Sequence, residues 1–144
     1  VRNGRLRIVF RNLPVLGDDS ERAARVAVAA GPQDRMWQFI DVFFWNQGDE
    51  GSGYATDAFL RRIAAAVPGL DVDRVMADRD EPEVGAELAE SARIAREEQV
   101  KGVPSFTIGR TGEPERELSF KSASDPESFI TPIQELMETK PDAR

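Results

Sequence analysis

The sequence predicts an α/β domain, and three observations predict it. Leu6-Arg7-Ile8-Val9-Phe10 is a β-type run of branched and aromatic residues with partial alternation. From about residue 18 to residue 100 the apolar residues recur at three- and four-residue spacing, the period of helices. Then Lys101 to Gly109, KGVPSFTIG, opens on Gly102-Val103-Pro104 and continues as a short apolar alternation, followed by a hairpin signal and one more helix. A proline at the mouth of a strand cannot donate to a ladder, so it belongs at the first residue or on an edge.

The elements follow in order. Residues 5–11 read as a strand ended by Pro14 and Gly17. Asp18, Asp19 and Ser20 offer N-caps to an Ala- and Val-rich helix from Ser20 to Ala30, with Glu21 in its first turn. Gly31-Pro32 breaks it. Arg35 to Asn46 is a second helix, with Met36, Phe39, Ile40, Phe43 and Phe44 at helical spacing and Trp37 and Trp45 beside them. So wide an apolar arc predicts the most buried helix of the chain. Thr56 or Asp57 caps a third helix with the stripe Phe59, Leu60, Ile63 and Val67, stopped by Pro68-Gly69. Asp71 caps a short helix to Ala77. A long polar helix runs from Pro82, which suits the first helical position, to Val100, with a thin face of Val84, Leu88, Ala92 and Ala95.

After the Val103-Pro104 turn, Ser105 to Arg110 and Glu115 to Phe120 read as a hairpin joined at Thr111-Gly112-Glu113. Ser124 or Asp125 caps a last helix with Phe129, Ile130, Ile133, Leu136 and Met137 on one face; a frayed tail is expected over 141–144. Three strands make a poor sheet, so the N-terminal strand is expected to need the hairpin and one strand preceding residue 1 as neighbours.

Composition narrows the chemistry. The 144 residues suffice for one compact domain, residues 1–144, and 40% are hydrophobic. The net charge is −7 with no basic stripe, which argues against nucleic acid and against an anionic membrane surface. No run approaches the ~18–20 apolar residues of a bilayer span, no signal peptide opens the chain, and no initiator Met is present. Histidine and cysteine are both absent. Zinc, iron and copper lose their usual ligands, and Ser-His-Asp and Cys-His catalysis are excluded for the residues given.

Other clusters read as structure. Asp71, Asp73, Asp78, Asp80 and Glu81 lack the spacing and glycine of an EF-hand loop and read as caps and a solvated face, so no metal site is expected. Gly48 to Gly53, GDEGSG, lacks the Gly-Lys-Ser/Thr ending of a phosphate loop. Glu97-Glu98 reads as exposed helix charge. Trp37, Phe39, Phe43 and Phe44 read as core rather than as a peptide groove.

Five stretches resemble the DsbA-like branch of the thioredoxin fold, in which a helical insertion interrupts the core. Residues 5–14, RLRIVFRNLP, are similar to the second core strand and its exit. Ser20 to Ala30 resembles the Ala-rich helix, and Met36-Trp37-Gln38-Phe39 with Phe43-Phe44-Trp45-Asn46-Gln47 the Trp-x-Phe and Phe-x-Asn-Gln helix that follows. Gly69-Leu70-Asp71 matches a recurring Gly-Leu-Asp, and Gly102-Val103-Pro104-Ser105-Phe106 the Gly-(Thr/Val)-Pro-(Ser/Thr)-Phe loop. The resemblance covers essentially the whole chain. It implies a thioredoxin-like α/β fold lacking its first βα unit: a core strand at 5–11, a helical insertion over about 18–100, and a cis-proline loop, hairpin and terminal helix over 101–138.

The resemblance also implies a function. Family members carry Cys-x-x-Cys at the start of the first core helix, where the helix N-terminus favours thiolate; here that pair is expected upstream of residue 1, with a signal or membrane anchor further upstream. Gly102, Val103 and Pro104 are the implied substrate-binding residues, the Val103 backbone pairing with an extended peptide. The chain itself supplies no catalytic residue, and no cofactor is implied. The parent is then a bacterial, extracytoplasmic thiol-disulfide oxidoreductase acting on protein or peptide thiols and disulfides, with a redox partner protein. The rival reading is a redox-inactive thioredoxin-like peptide-binding or chaperone module, decided by whether Cys-x-x-Cys lies upstream. A third is a glutathione-dependent isomerase or transferase, decided by glutathione titration.

Overall fold

A computed structural model describes residues 3–139. The expected fraying of 141–144 lies outside the described residues. Two compact units carry the elements, residues 1–98 and 99–144.

The first unit is helical. Its elements are α1 (Asp18–Ala29), a 3-10 turn (Gly31–Gln33), α2 (Met36–Phe44), α3 (Asp57–Ala65), α4 (Val72–Asp78) and α5 (Pro82–Glu97). The Ala- and Val-rich α1 sits at the centre and packs against α2, α4 and α5, while α3 packs against α2 and α4. Small side chains permit that close approach, and Ala23, Ala24, Ala27 and Ala29 are all buried. The core converges on Val26, Phe39, Leu60 and Val75.

Local signals set several ends. Thr56 Oγ1 accepts the Phe59 N–H at 3.2 Å and Asp71 Oδ1 accepts the Arg74 N–H at 3.0 Å, so both residues cap as their side chains predict. Pro82 opens α5. The acidic run 71–80 is consumed in the same way. Arg61 pairs with Asp73, Arg74 with Asp78, and Arg79 with Asp57 and Asp80.

Four expectations need correction. Residues 5–11 form no strand. A strand exists only through its partner's ladder, and the sheet among the described residues pairs two other segments. The Ile8 and Val9 side chains are correspondingly exposed. Second, α2 is not uniformly buried: Phe39, Ile40 and Phe43 are, whereas Trp37 is 48%, Phe44 55% and Trp45 85% exposed. The apolar arc is wider than the face α1 and α3 cover, and Trp45 lies past the helix end. Third, α5 buries Ser91 with Val84 and Leu88; Ala92 is only half-buried. Fourth, α1 begins at Asp18 with Gly17 at its N-cap and no side-chain cap. Asp19 turns inward instead and accepts the N–H groups of Gly53 and Ala55 at 2.8 and 3.0 Å.

The second unit is a hairpin and a helix. β1 (Thr107–Ile108) pairs antiparallel with β2 (Arg116–Glu117), Thr107 opposite Glu117 and Ile108 opposite Arg116. The strands are shorter than the alternation predicts. The turn is where its residues place it: the Glu113 N–H donates to the Arg110 carbonyl at 3.0 Å, and Gly112 takes φ +84°. At Gly109 a Cβ would come within 3.0 Å of the Glu115 backbone, so glycine lets the two arms close. α6 (Glu127–Glu138) follows, with Phe129, Ile133 and Leu136 half-buried and Ile130 and Met137 exposed. Asp125 tends its start, accepting the Glu127 N–H at 3.3 Å and the Ser128 hydroxyl at 2.7 Å.

Candidate substrate-binding loop

Lys101–Ser105 leads into β1 without helix or strand structure, and Gly102, Val103 and Pro104 are all exposed. The Val103–Pro104 peptide bond is cis. The Val103 side chain is 50% exposed, large for an apolar residue flanked by structured chain. Within the described part of this unit no hydrogen bond uses the N–H or C=O of Val103. Pro104 has no N–H to offer. The loop thus presents one free donor and one free acceptor on the same residue, which is what an added extended segment requires.

Two contacts hold the loop's flanks. The Ser105 hydroxyl donates to the Gly102 carbonyl at 2.5 Å, bridging the proline and fixing the direction of the peptide entering Val103. Next, the Phe106 carbonyl accepts the Leu118 N–H at 2.8 Å, anchoring the exit to the partner strand. The Phe106 ring meets Phe120 edge-on at 5.2 Å and Phe129 at 4.9 Å, and Phe120 stacks on Phe129 at 5.7 Å. This aromatic triad ties the loop's exit, the end of the hairpin and α6 into one small core.

The base of the hairpin is tied down separately. Thr107 Oγ1 donates to Glu115 Oε2 at 2.5 Å across the hairpin. The Arg110 guanidinium donates to the Leu136 and Thr139 carbonyls, a cation on the last turn of α6. Sequence reasoning placed Gly102, Val103 and Pro104 together but did not assign roles to Ser105 or Arg110. The Ser after Pro in the loop motif was the available signal for the first. Nothing local signals the second.

Chemically, the loop offers the exposed main chain of Val103 beside a proline that has no N–H. It holds no thiol, and the chain has neither cysteine nor histidine. Among the described residues no group of three or more metal-ligating side chains converges, and no helix is long and apolar enough to cross a membrane.

Known proteins resemble this chain in sequence and fold. The family model described as DSBA-like thioredoxin domain matches residues 3–129. A protein of Bacillus cereus called probable disulfide bond formation protein D is 27% identical over 128 residues, covering 86% of this chain and 59% of its own length. Its namesake in Bacillus anthracis is 28% identical over 128 residues, covering 86% of this chain and 58% of its own. The chain therefore spans under two thirds of the length of these curated relatives. A crystal structure of a thioredoxin-like oxidoreductase from Silicibacter pomeroyi superposes with a TM-score of 0.56 at 34% identity, over 67% of this chain and 53% of that one. The helical block before the Val103–Pro104 loop is accordingly the helical insertion of a thioredoxin-like fold, and the chain belongs to the DSBA-like thioredoxin domain family.

Proposed function

We propose that this chain is the scaffold and peptide clamp of a thiol-disulfide oxidoreductase whose Cys-x-x-Cys pair is supplied by polypeptide preceding residue 1. The observation that carries the reading is the Gly102-Val103-Pro104 loop, exposed and with the Val103 main chain unengaged, in a domain of this family. Two further observations support it. The relatives extend well beyond the span matched here. The apolar segment 5–11 also leaves Ile8 and Val9 exposed, 57% and 56%, surface that a covering segment would bury.

In this reading the N–H and C=O of Val103 pair with an extended substrate segment and bring its sulfur to the cysteine pair. In the oxidising direction, a substrate thiolate attacks one sulfur of the enzyme disulfide and expels the other as thiolate. The second substrate thiolate then attacks the substrate's own sulfur in that mixed disulfide and releases the reduced enzyme. Two electrons pass from substrate to enzyme, and a redox partner protein removes them. The reverse sequence reduces a substrate disulfide. Such chemistry belongs in an oxidising compartment, so the protein is assigned to the extracytoplasmic side of a bacterial cell.

The test uses the polypeptide isolated from its native source, mixed with a dithiol peptide and quenched with an alkylating reagent. A trapped mixed disulfide, together with a Val103 amide resonance that moves on peptide addition, is expected. Peptide binding without any mixed disulfide would instead identify a redox-inactive clamp.

A further inference from the structure

The first unit carries a recessed surface of its own. A groove of about 450 Å³ opens where the end of α1 and the 3-10 turn meet the end of α4 and the start of α5. Its floor is apolar: Val28, Ala29, Pro32, Met36 and Val84. Its rim is acidic: Asp78, Glu81, Glu83 and Glu87, and no Lys or Arg lines it. Asp78 shares its charge with Arg74. The three glutamates have no ion-pair partner among the described residues.

Helix stability does not account for this arrangement. Glu83 lies in the first turn of α5, where the helix dipole favours an anion. Glu87 lies a turn further on, past the reach of that effect, and sits i,i+4 from Glu83, a like-charge spacing that costs helix stability. Two helices, α1 and α4, also end at the groove without a basic residue in their last turns, so their C-terminal partial negative charge adds to the rim. An apolar floor under uncompensated anionic charge suits a long aliphatic stem ending in a cation, which lies along the floor while its head stays at the rim.

We propose that this groove docks a basic segment of a partner polypeptide, one presenting Arg or Lys beside an aliphatic residue. The arginine or lysine stem covers the half-buried Val28 and Met36, and its head reaches Glu83 and Glu87. The aliphatic neighbour fills the remaining floor near Pro32. Apolar residues beside the glutamates favour a peptide segment with an aliphatic side chain over a lone cation. This site is independent of thiol chemistry and of the Val103 clamp.

The experiment is an NMR titration of the isotopically labelled whole protein with the peptide Ac-Ala-Arg-Leu-Arg-Ala-amide. Its acidic counterpart, Ac-Ala-Glu-Leu-Glu-Ala-amide, and spermidine are run in parallel. The basic peptide is expected to shift the amides of Gly31, Met36, Val84 and Glu87, with binding that weakens as salt rises. The double variant Glu83→Gln, Glu87→Gln should bind it about five- to tenfold more weakly, since exposed charge pairs each contribute a few-fold. That variant removes both a like-charge repulsion and the favourable charge of Glu83 at the start of α5, two opposing effects of similar size, so it should melt close to the parent. Shifts confined to other surfaces, equal binding of the acidic peptide, or unchanged affinity in the double variant would overturn the proposal. Reproduction of the same shifts by spermidine at equal concentration would also overturn it, showing a sink for any cation.

Discussion

The carboxylate of Asp19 accepts the backbone N–H of Ala55 at 3.0 Å, and its second oxygen accepts that of Gly53 at 2.8 Å. The Ala55 bond is sheltered from water, because Asp19 and Ala55 are buried, while Gly53 is exposed. One side chain near the start of α1 thereby fixes the end of the Gly48–Gly53 loop and the entry to α3. Asp19→Ala leaves the buried Ala55 donor without an acceptor, while the Gly53 donor can turn to water, and should cost about 1.5–3 kcal/mol, the contribution of one charge-assisted bond. Denaturant unfolding measures this, and a loss below half a kcal/mol would show that the loop finds other partners.

Tyr54 lies between the two residues Asp19 holds. Burial raises its phenol above the ordinary value of 10.0, and the Asp19 charge raises it further, against a smaller lowering by a hydrogen bond to Gln47. The neutral phenol is thus favoured in the folded state. The stability it contributes is complete below pH 10 and is lost as pH rises through the elevated folded value. Tyr54 is the chain's single tyrosine, so phenolate absorbance reports it alone. The midpoint should exceed 10 in the parent and fall in Asp19→Asn.

At the acidic end, hydrogen bonding from Arg79 holds the Asp57 carboxyl below its ordinary 3.8, with bonds of 2.7 and 2.9 Å. Arg93 does the same for Glu90. A depressed folded value contributes stability above the unfolded value, and that stability is lost as pH falls through the folded one. Melting temperature should therefore be insensitive to these pairs between pH 7 and 5. It should drop below about pH 4, less steeply in Asp57→Asn. Both pairs are solvent-exposed, so added salt should blunt the effect.

Two aromatic residues of neighbouring sequence should respond oppositely to substitution. Phe39 is 1% exposed in the core, and truncation to Ala should cost about 3–5 kcal/mol. Trp45, 85% exposed, should tolerate Gln within about 0.5 kcal/mol. Chemical denaturation of the two variants checks this directly, and a large loss at Trp45 would mean that the side chain is covered.

Legibility in the sequence followed the range of the interaction. Thr56, Asp71 and Pro82 act within one helical turn of themselves, so their roles were readable from local order. Thr111-Gly112-Glu113 closes its own hairpin. Asp19 was misread as a cap because its partners lie 34 and 36 residues away. Arg110 was missed for the same reason, with partners 26 and 29 residues on. Residues 5–11 have strand composition, but composition cannot supply a ladder, and the described residues provide none. At 102–106, the Gly-Val-Pro-Ser-Phe order marked the proline turn before β1, while the Ser105–Gly102 bond across it needed coordinates.

The central claim is that this clamp works beside a cysteine pair carried on the same polypeptide. The most direct measurement is the intact mass of the protein isolated from its native source, alkylated before and after reduction. The account predicts a mass above the 16.0 kDa of these 144 residues and two thiols that become alkylatable on reduction. A mass of 16.0 kDa with no alkylatable thiol would contradict it.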